Sequence, residues 1–320
     1  MSLRVYREVY KPFEYDWAFN YYLTTLNSTW SPLAIDMSGD IHDFETSTTE
    51  DEKEIISGVT KGFVTMESHI HDYWINVVCK AFPKHEIVAA ATMIAAMEQV
   101  HKHAYAHFSD SIGVSDYRAI LSDDKIRQKL GHFIDKKDIK VSLATFSGVG
   151  EGVSLYSSFA ILLSFCLGKY GGRFKGLNDI ISYSVRDESL HSEFGCRLFK
   201  VLVEEEGLQE YQKDMIYDAF DIGLENEFQV IDRIFKGREV KTIDSEDLKN
   251  FMRKRANNRL VLLGLDPSYE EQETEVEKWF NIAVGGQTSN DFFVHAADGS
   301  YTTILSSDYA SVDYSLSLDV

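Results

Sequence analysis

Proline is scarce in this chain, with four in 320 residues, at positions 12, 32, 83 and 267. Long stretches that never need a break favour an all-α protein. Cysteine is scarcer still. Cys79, Cys166 and Cys196 stand alone in apolar helical contexts, with no Cys-x-x-Cys spacing and no even framework, which excludes a disulfide scaffold and a thiolate zinc site. All three read as small buried hydrophobes. Positive charge is also short. Lys and Arg number 32 against 51 Asp and Glu, a formal charge of −19. No basic stripe is present to neutralise phosphates, so nucleic-acid binding is excluded, and attraction to an anionic membrane is disfavoured. No apolar run reaches 18 residues, the first residues MSLRVYREVYKPF lack a signal-peptide core, and no GxxxxGK[ST] phosphate loop occurs. The expected location is the cytoplasm. No repeat of 20–50 residues and no dividing linker appears.

Hydrophobic residues make up 44% of the chain, enough for a substantial core. Residues 1–45 read as irregular with short helices. The acidic run from Ser47 to Glu52 starts a long helix that continues to about Phe82, where Pro83 stops it. A second helix is expected from about Lys84 to Ser109. Others are expected near 115–135, 139–170, 177–206, 208–236, 244–264 and 270–285. The segment from 291 to 320 is rich in Ser, Asp and Tyr without a helical stripe. It reads as a tail separate from the helical domain 1–290, either frayed or ordered by docking on a partner.

One pattern carries chemistry. Glu98-Gln99-Val100-His101 and Glu188-Ser189-Leu190-His191 both sit on apolar helical stretches. Residues three apart on a helix share a face, so each copy aims a carboxylate and an imidazole at one point. Glu-x-x-His is common by count in so acidic a chain, and the weight comes from context, because a buried carboxylate or imidazole is costly unless paired or metal-bound. Two such helices plus one Glu from each of two others make the six-ligand box of carboxylate-bridged dinuclear metal proteins. Glu67, on an apolar face of the first long helix, and Glu151, the sole acidic residue between Asp138 and Asp179, supply the other two. Four carboxylates and two imidazoles suit iron or manganese, and two divalent ions balance the four negative charges. Tyr105 lies seven residues after Glu98 and four after His101 on the same face. Its phenol is either an ordinary core hydroxyl or a group close enough to an oxidising metal pair to lose an electron and a proton.

Taken in order, TWSP at Trp30, Glu67, MEQVHKHAY, EGVSLYSSF, RDESLH, NNRLVLLGL, EKWFN and NDFFVHAADGSY resemble the radical-generating beta subunit of class I ribonucleotide reductase over almost the whole length. The resemblance implies a ferritin-like fold. It implies that Glu67, Glu98 and His101 bind one metal and that Glu151, Glu188 and His191 bind the second. Asp187 would hydrogen-bond His101 and connect it to Trp30, opening an electron route out of the buried site. Tyr301 matches the tail tyrosine that relays the radical, and about Ser315 to Val320 would dock on the large alpha subunit. Arg186 and Tyr156 match family positions and read as structural. A homodimer is implied, and a flavodoxin-like activator fits some members.

One position departs from the common pattern. Most members have Asp where this chain has Glu67, and Glu there resembles subgroups whose metal pair, manganese–iron or dimanganese, itself stores the oxidising equivalent. Tyr105 points instead to tyrosyl-radical subgroups. The cofactor expectation is therefore two ions per chain, as Fe2, Mn2 or Mn/Fe, tilted toward manganese by Glu67. The alternative function is a ferritin-like ligand-binding oxidase or oxygenase. Those oxidases use a tyrosine five residues before the third carboxylate for a crosslink, and Phe146 occupies that place here. Iron storage is a weaker alternative, since storage proteins are built from chains about half this long.

Overall fold

The computed structural model describes residues 2–114, 116, 138–167, 172–238 and 240–285. The expected helix near 115–135, and the expected tail with Tyr301, lie outside the described residues. Within them the chain is helical, with no strand. The helices are α1 (Asp16–Asn27), α2 (Ser38–Thr46), α3 (Glu50–Tyr73), α4 (His85–Ser111), α5 (Ile139–Thr145), α6 (Tyr156–Cys166), α7 (Lys175–Glu206), α8 (Glu210–Phe235), α9 (Ser245–Leu262) and α10 (Glu275–Gly285).

The start of α3 follows from its acidic run. Thr49 caps the helix, its side chain accepting from the Glu52 amide while the Glu52 carboxylate accepts from the Thr49 amide. Glu50, Asp51 and Glu52 then face the positive end of the helix dipole. Beyond Tyr73 the helix continues through a wider π turn, Trp74–Val78, and a last short turn to Ala81. Phe82 leaves the helical region just ahead of Pro83.

The longest helix, α7, is capped from a distance. Buried Asp40 of α2 accepts the Gly176 and Leu177 amides, each at 2.8 Å, and Asp43 accepts the Phe174 amide at 2.9 Å. Burial pushes the Asp40 carboxyl up, and those two amides oppose the shift. At the other end Gly207, at φ 73°, closes the helix with a bond to the Val203 carbonyl.

The expected continuous helix over 139–170 is broken. α5 runs into a π turn at Phe146–Gly150, five turn residues follow, and α6 begins at Tyr156. The backbone is tightly packed at the break. A side chain at Gly152 would lie 2.3 Å from the Gly148 carbonyl, and one at Gly195 on α7 would lie 1.9 Å from Ser147 Oγ. The last expected helix starts at Glu275 rather than near 270. α3, α4, α5–α6 and α7 form the central bundle, with α1 along α4 and α8, α9 and α10 outside. Phe63 joins three of its members, stacking on Tyr105 at 4.6 Å and Phe159 at 4.8 Å. Each such buried ring contributes about 1.5–3 kcal/mol. No helix among the described residues is long and apolar enough to cross a membrane.

Candidate metal centre

The bundle brings all six expected residues to one place, each fully buried. Glu67 comes from α3, Glu98 and His101 from α4, and Glu188 and His191 from α7. Glu151 follows the second π turn, its amide bonded to the Phe146 carbonyl at 3.0 Å. The two three-residue spacings therefore face each other across the bundle, as helical geometry requires.

The ligand atoms fall into two overlapping groups. Glu67, Glu98, His101 and Glu188 form one, and Glu98, Glu151, Glu188 and His191 the other, with the atoms of each group within 4.8 Å of one another. The resemblance divides the residues three and three. The geometry instead shares Glu98 and Glu188 between the groups, as bridging carboxylates would be.

Oxygens and nitrogens converge here, and few of them are satisfied: within the cluster Glu98 Oε2 lies in hydrogen-bond reach of His101 Nδ1 at 3.2 Å. His191 Nδ1 lies 2.7 Å from Glu98 Oε1, and His101 Nδ1 lies 3.1 Å from Glu188 Oε1. Yet both oxygens of Glu67, both of Glu188, Glu98 Oε1, Glu151 Oε2 and both nitrogens of His191 have no hydrogen-bond partner. Buried polar atoms are almost always satisfied, and such a concentration of orphans aimed at one point is what a cation pair would complete.

The electrostatics agree. Burial pushes the Glu67 and Glu188 carboxyls well above the usual range, and the Glu98 charge pushes them further. Burial opposes ionisation of Glu98 too, but His191 and His101 overcome it and hold that carboxyl low. Burial alone would lower both imidazoles. Asp187, Glu188 and Glu98 pull His101 well above its ordinary value, and Glu98 and Glu151 pull His191 up to about 10. Protons thus carry compensating charge that two divalent ions would supply in their place.

The surroundings orient the cluster. Asp187 Oδ2 accepts from His101 Nε2 at 3.1 Å and from Trp30 Nε1 at 2.9 Å. Its Oδ1 accepts two bonds from Arg186, at 3.0 and 2.8 Å. Burial would raise this carboxyl, but His101 and Arg186 hold it down, so it stays ionised. With the Nε2 hydrogen held by Asp187, an ion that replaced the Nδ1 proton would find the Nδ1 lone pair directed at the cluster. Trp30 stacks at 6.0 Å from the His101 ring. Tyr156 is structural, its hydroxyl 2.9 Å from Ser189 Oγ and its face under Arg255. Tyr105 is buried against Phe63, and its hydroxyl has no partner. Burial, and then the charge of Glu67, push the phenol well above its ordinary value.

Sequence reasoning missed Trp74. Its indole donates to Glu151 Oε1 at 2.6 Å. The available signal was its place seven residues after Glu67, two turns along the same face. Phe146 stacks on Tyr73 at 3.7 Å.

The sequence profile of the family "Ribonucleotide reductase, small chain" matches residues 7–277. The chain belongs to the ribonucleotide reductase small-chain family. The ribonucleoside-diphosphate reductase subunit beta of Chlamydia pneumoniae is 25% identical, covering 82% of this chain and 81% of its own length. The small chain of Neurospora crassa is 27% identical over 88% of this chain and 69% of its own. Among solved structures, the R2 subunit from Clostridium botulinum superposes with a TM-score of 0.76 at 20% identity, covering 85% of this chain and 89% of that one. The dimanganese(II)-NrdF of Streptococcus sanguinis gives 0.72 at 20% identity, over 83% and 95%. An R2-like ligand-binding oxidase with a Mn/Fe cofactor gives 0.66 at 19% identity, over 78% and 94%. These structures share the ferritin-like fold. This small chain is thus a subunit of an oxidoreductase, ribonucleoside-diphosphate reductase, and carries a site suited to two metal ions. Small chains of the family work with a large subunit and form dimers.

Proposed function

We propose that Glu67, Glu98, His101, Glu151, Glu188 and His191 hold two first-row metal ions, and that this chain makes an oxidising equivalent there and exports it to the large subunit for reduction of ribonucleotides. The observation that carries this reading is the set of buried, unpartnered carboxylate and imidazole atoms converging between four helices. When bound, a redox-active metal pair supplies the one-electron oxidising power that protein side chains lack. The chain's own residues do the rest. Asp187 fixes the His101 tautomer and keeps its negative charge. Trp30, bonded to the same Asp187 oxygen, is the route by which an electron enters and the oxidising equivalent leaves. The buried, stacked rings of Phe63 and Phe159 beside Tyr105 keep water away.

Glu67 supports a manganese-containing pair, either Mn2 or Mn/Fe. Its side chain is one methylene longer than the more usual Asp. Tyr105 is the other possible store of the equivalent, with the Ser184 hydroxyl facing its phenol. Tyr301 and the final residues would take the equivalent onward and dock on the large subunit, in the cytoplasm, with a flavodoxin-like protein as a candidate activator. The test is metal analysis of protein expressed with balanced iron and manganese, followed by electron paramagnetic resonance after oxidation. Two ions per chain with a sharp tyrosyl signal place the equivalent on Tyr105. Manganese with a multiline signal and no tyrosyl radical places it on the metals. A chain that takes up no metal refutes the proposal.

A further inference from the structure

The two π turns meet beside the cluster. Trp74 is the first residue of one, and Glu151 directly follows the other. Aromatic contacts lock them together. Tyr73 stacks on Phe146 at 3.7 Å, and Trp74 meets Phe146 edge-on at 5.8 Å and Phe194 of α7 at 5.7 Å. A Cβ at Gly195 would come within 3.4 Å of the far edge of the Trp74 ring, so the indole has little room to turn. Its N–H reaches Glu151 Oε1 at 2.6 Å, with both residues fully buried. Indole is a donor only, and a carboxylate acceptor makes the bond charge-assisted and strong. The other oxygen, Oε2, has no hydrogen-bond partner and lies 3.6 Å from His191 Nδ1, toward the cluster.

We propose that Trp74 is a positioning residue, which occupies one oxygen of Glu151 and so presents the carboxylate to the metal pair through Oε2 alone. This rests on the metal-binding reading above and deepens it. Of the four carboxylates, Glu151 is the one tethered by a rigid aromatic donor. Glu67 and Glu188 have both oxygens free, and Glu98 keeps its bond to the His101 ring. The cluster therefore has one carboxylate held from outside, at Glu151, and two, Glu67 and Glu188, with neither oxygen hydrogen-bonded.

The experiment uses full-length protein titrated with Mn(II). Wild-type protein must bind two ions, and failure there sinks the metal-binding reading rather than this one. With Trp74→Phe, which keeps a ring but removes the N–H, one of the two ions should bind about 10- to 100-fold more weakly, as loss of a ligand's hydrogen-bond partner does elsewhere. The Mn(II) resonance spectrum should change with it. Phe194→Leu disturbs the same packing but leaves the N–H, and should retain both ions at wild-type affinity. Equal affinities and spectra in wild type and Trp74→Phe overturn the inference, as does equal weakening by both variants. Should Trp74→Phe not fold, the indole bands in ultraviolet resonance Raman decide. Glu151→Ala must shift them toward a weaker hydrogen bond, and unchanged bands overturn the assignment.

Discussion

Replacing Asp187 with Asn removes one charge and almost no volume, so its consequences isolate what the carboxylate does. Asp187 accepts four bonds, from Trp30 and His101 on one oxygen and twice from Arg186 on the other. An amide can serve only half of this fork. If its NH2 group faces Arg186, donors oppose donors and a buried ion pair is broken. If it faces the other way, Trp30 loses its acceptor, and His101 Nε2 must become an acceptor itself. The imidazole hydrogen then moves to Nδ1, the atom aimed at the cluster, and that nitrogen can no longer bind a metal. Breaking a buried charge pair costs about 3–5 kcal/mol. For a domain of this size that corresponds to a fall of roughly 4–8 °C in Tm. Asp187→Asn should therefore melt lower by calorimetry. It should also lose at least about tenfold in affinity for the ion beside His101, and activity with the large subunit should fall accordingly. A variant that binds two ions with wild-type affinity and melts unchanged would refute the tautomer argument.

Other measurements probe the rest of the molecule. Tyr105→Phe removes a buried hydroxyl without a hydrogen-bond partner, so thermal unfolding should show a stability within about 1 kcal/mol of wild type or slightly higher. Turnover of the same variant separates the two stores of the oxidising equivalent. Removing residues 302–320 should leave the metal content of the chain unchanged and abolish turnover with the large subunit, and retained turnover would contradict the docking role. Buried Glu86 on α4 accepts from the amides of Glu14 and Tyr15 at 2.9 and 3.1 Å and pairs with Arg7 at 2.8 Å. Burial opposes its charge, but the amides and Arg7 hold its carboxyl below the ordinary range. A depressed folded value means that its stabilisation is complete above the unfolded carboxylate value of about 4.3 and is lost as pH falls through the folded one. Hydrogen-exchange protection at residues 14 and 15, measured against the intrinsic rate at each pH, should therefore fall below about pH 4 in wild type. In Glu86→Gln it should already be low at neutral pH.

Much of the site was legible because helices convert spacing into direction. Glu98 with His101, and Glu188 with His191, needed only the three-residue rule and an apolar context. Glu151 stood out as a lone charge in an apolar stretch. The link between Asp187 and His101 was not derivable that way. It joins residues 86 positions apart and came from resemblance. The break at Phe146–Gly150 was hidden because the stretch is apolar all round, so an extra residue in the turn leaves no change of phase to see. Trp74 was hidden for another reason. A tryptophan on a core face looks like packing until its N–H is seen to have a carboxylate for a partner.

The sequence by itself determined the helical class, the start of α3 at its capping box, the stop at Pro83 of the helical run that continues beyond α3, and the six chemically competent residues, since these depend on local backbone rules and residue type. Tertiary structure alone decided that Glu98 and Glu188 are shared between two ligand groups, that Asp40 caps α7 from another helix, and that Trp74 holds one oxygen of Glu151. Each depends on how helices distant in sequence pack side by side. Periodicity fixes the face a residue occupies, whereas the partner that face meets is set by the packing of the whole bundle.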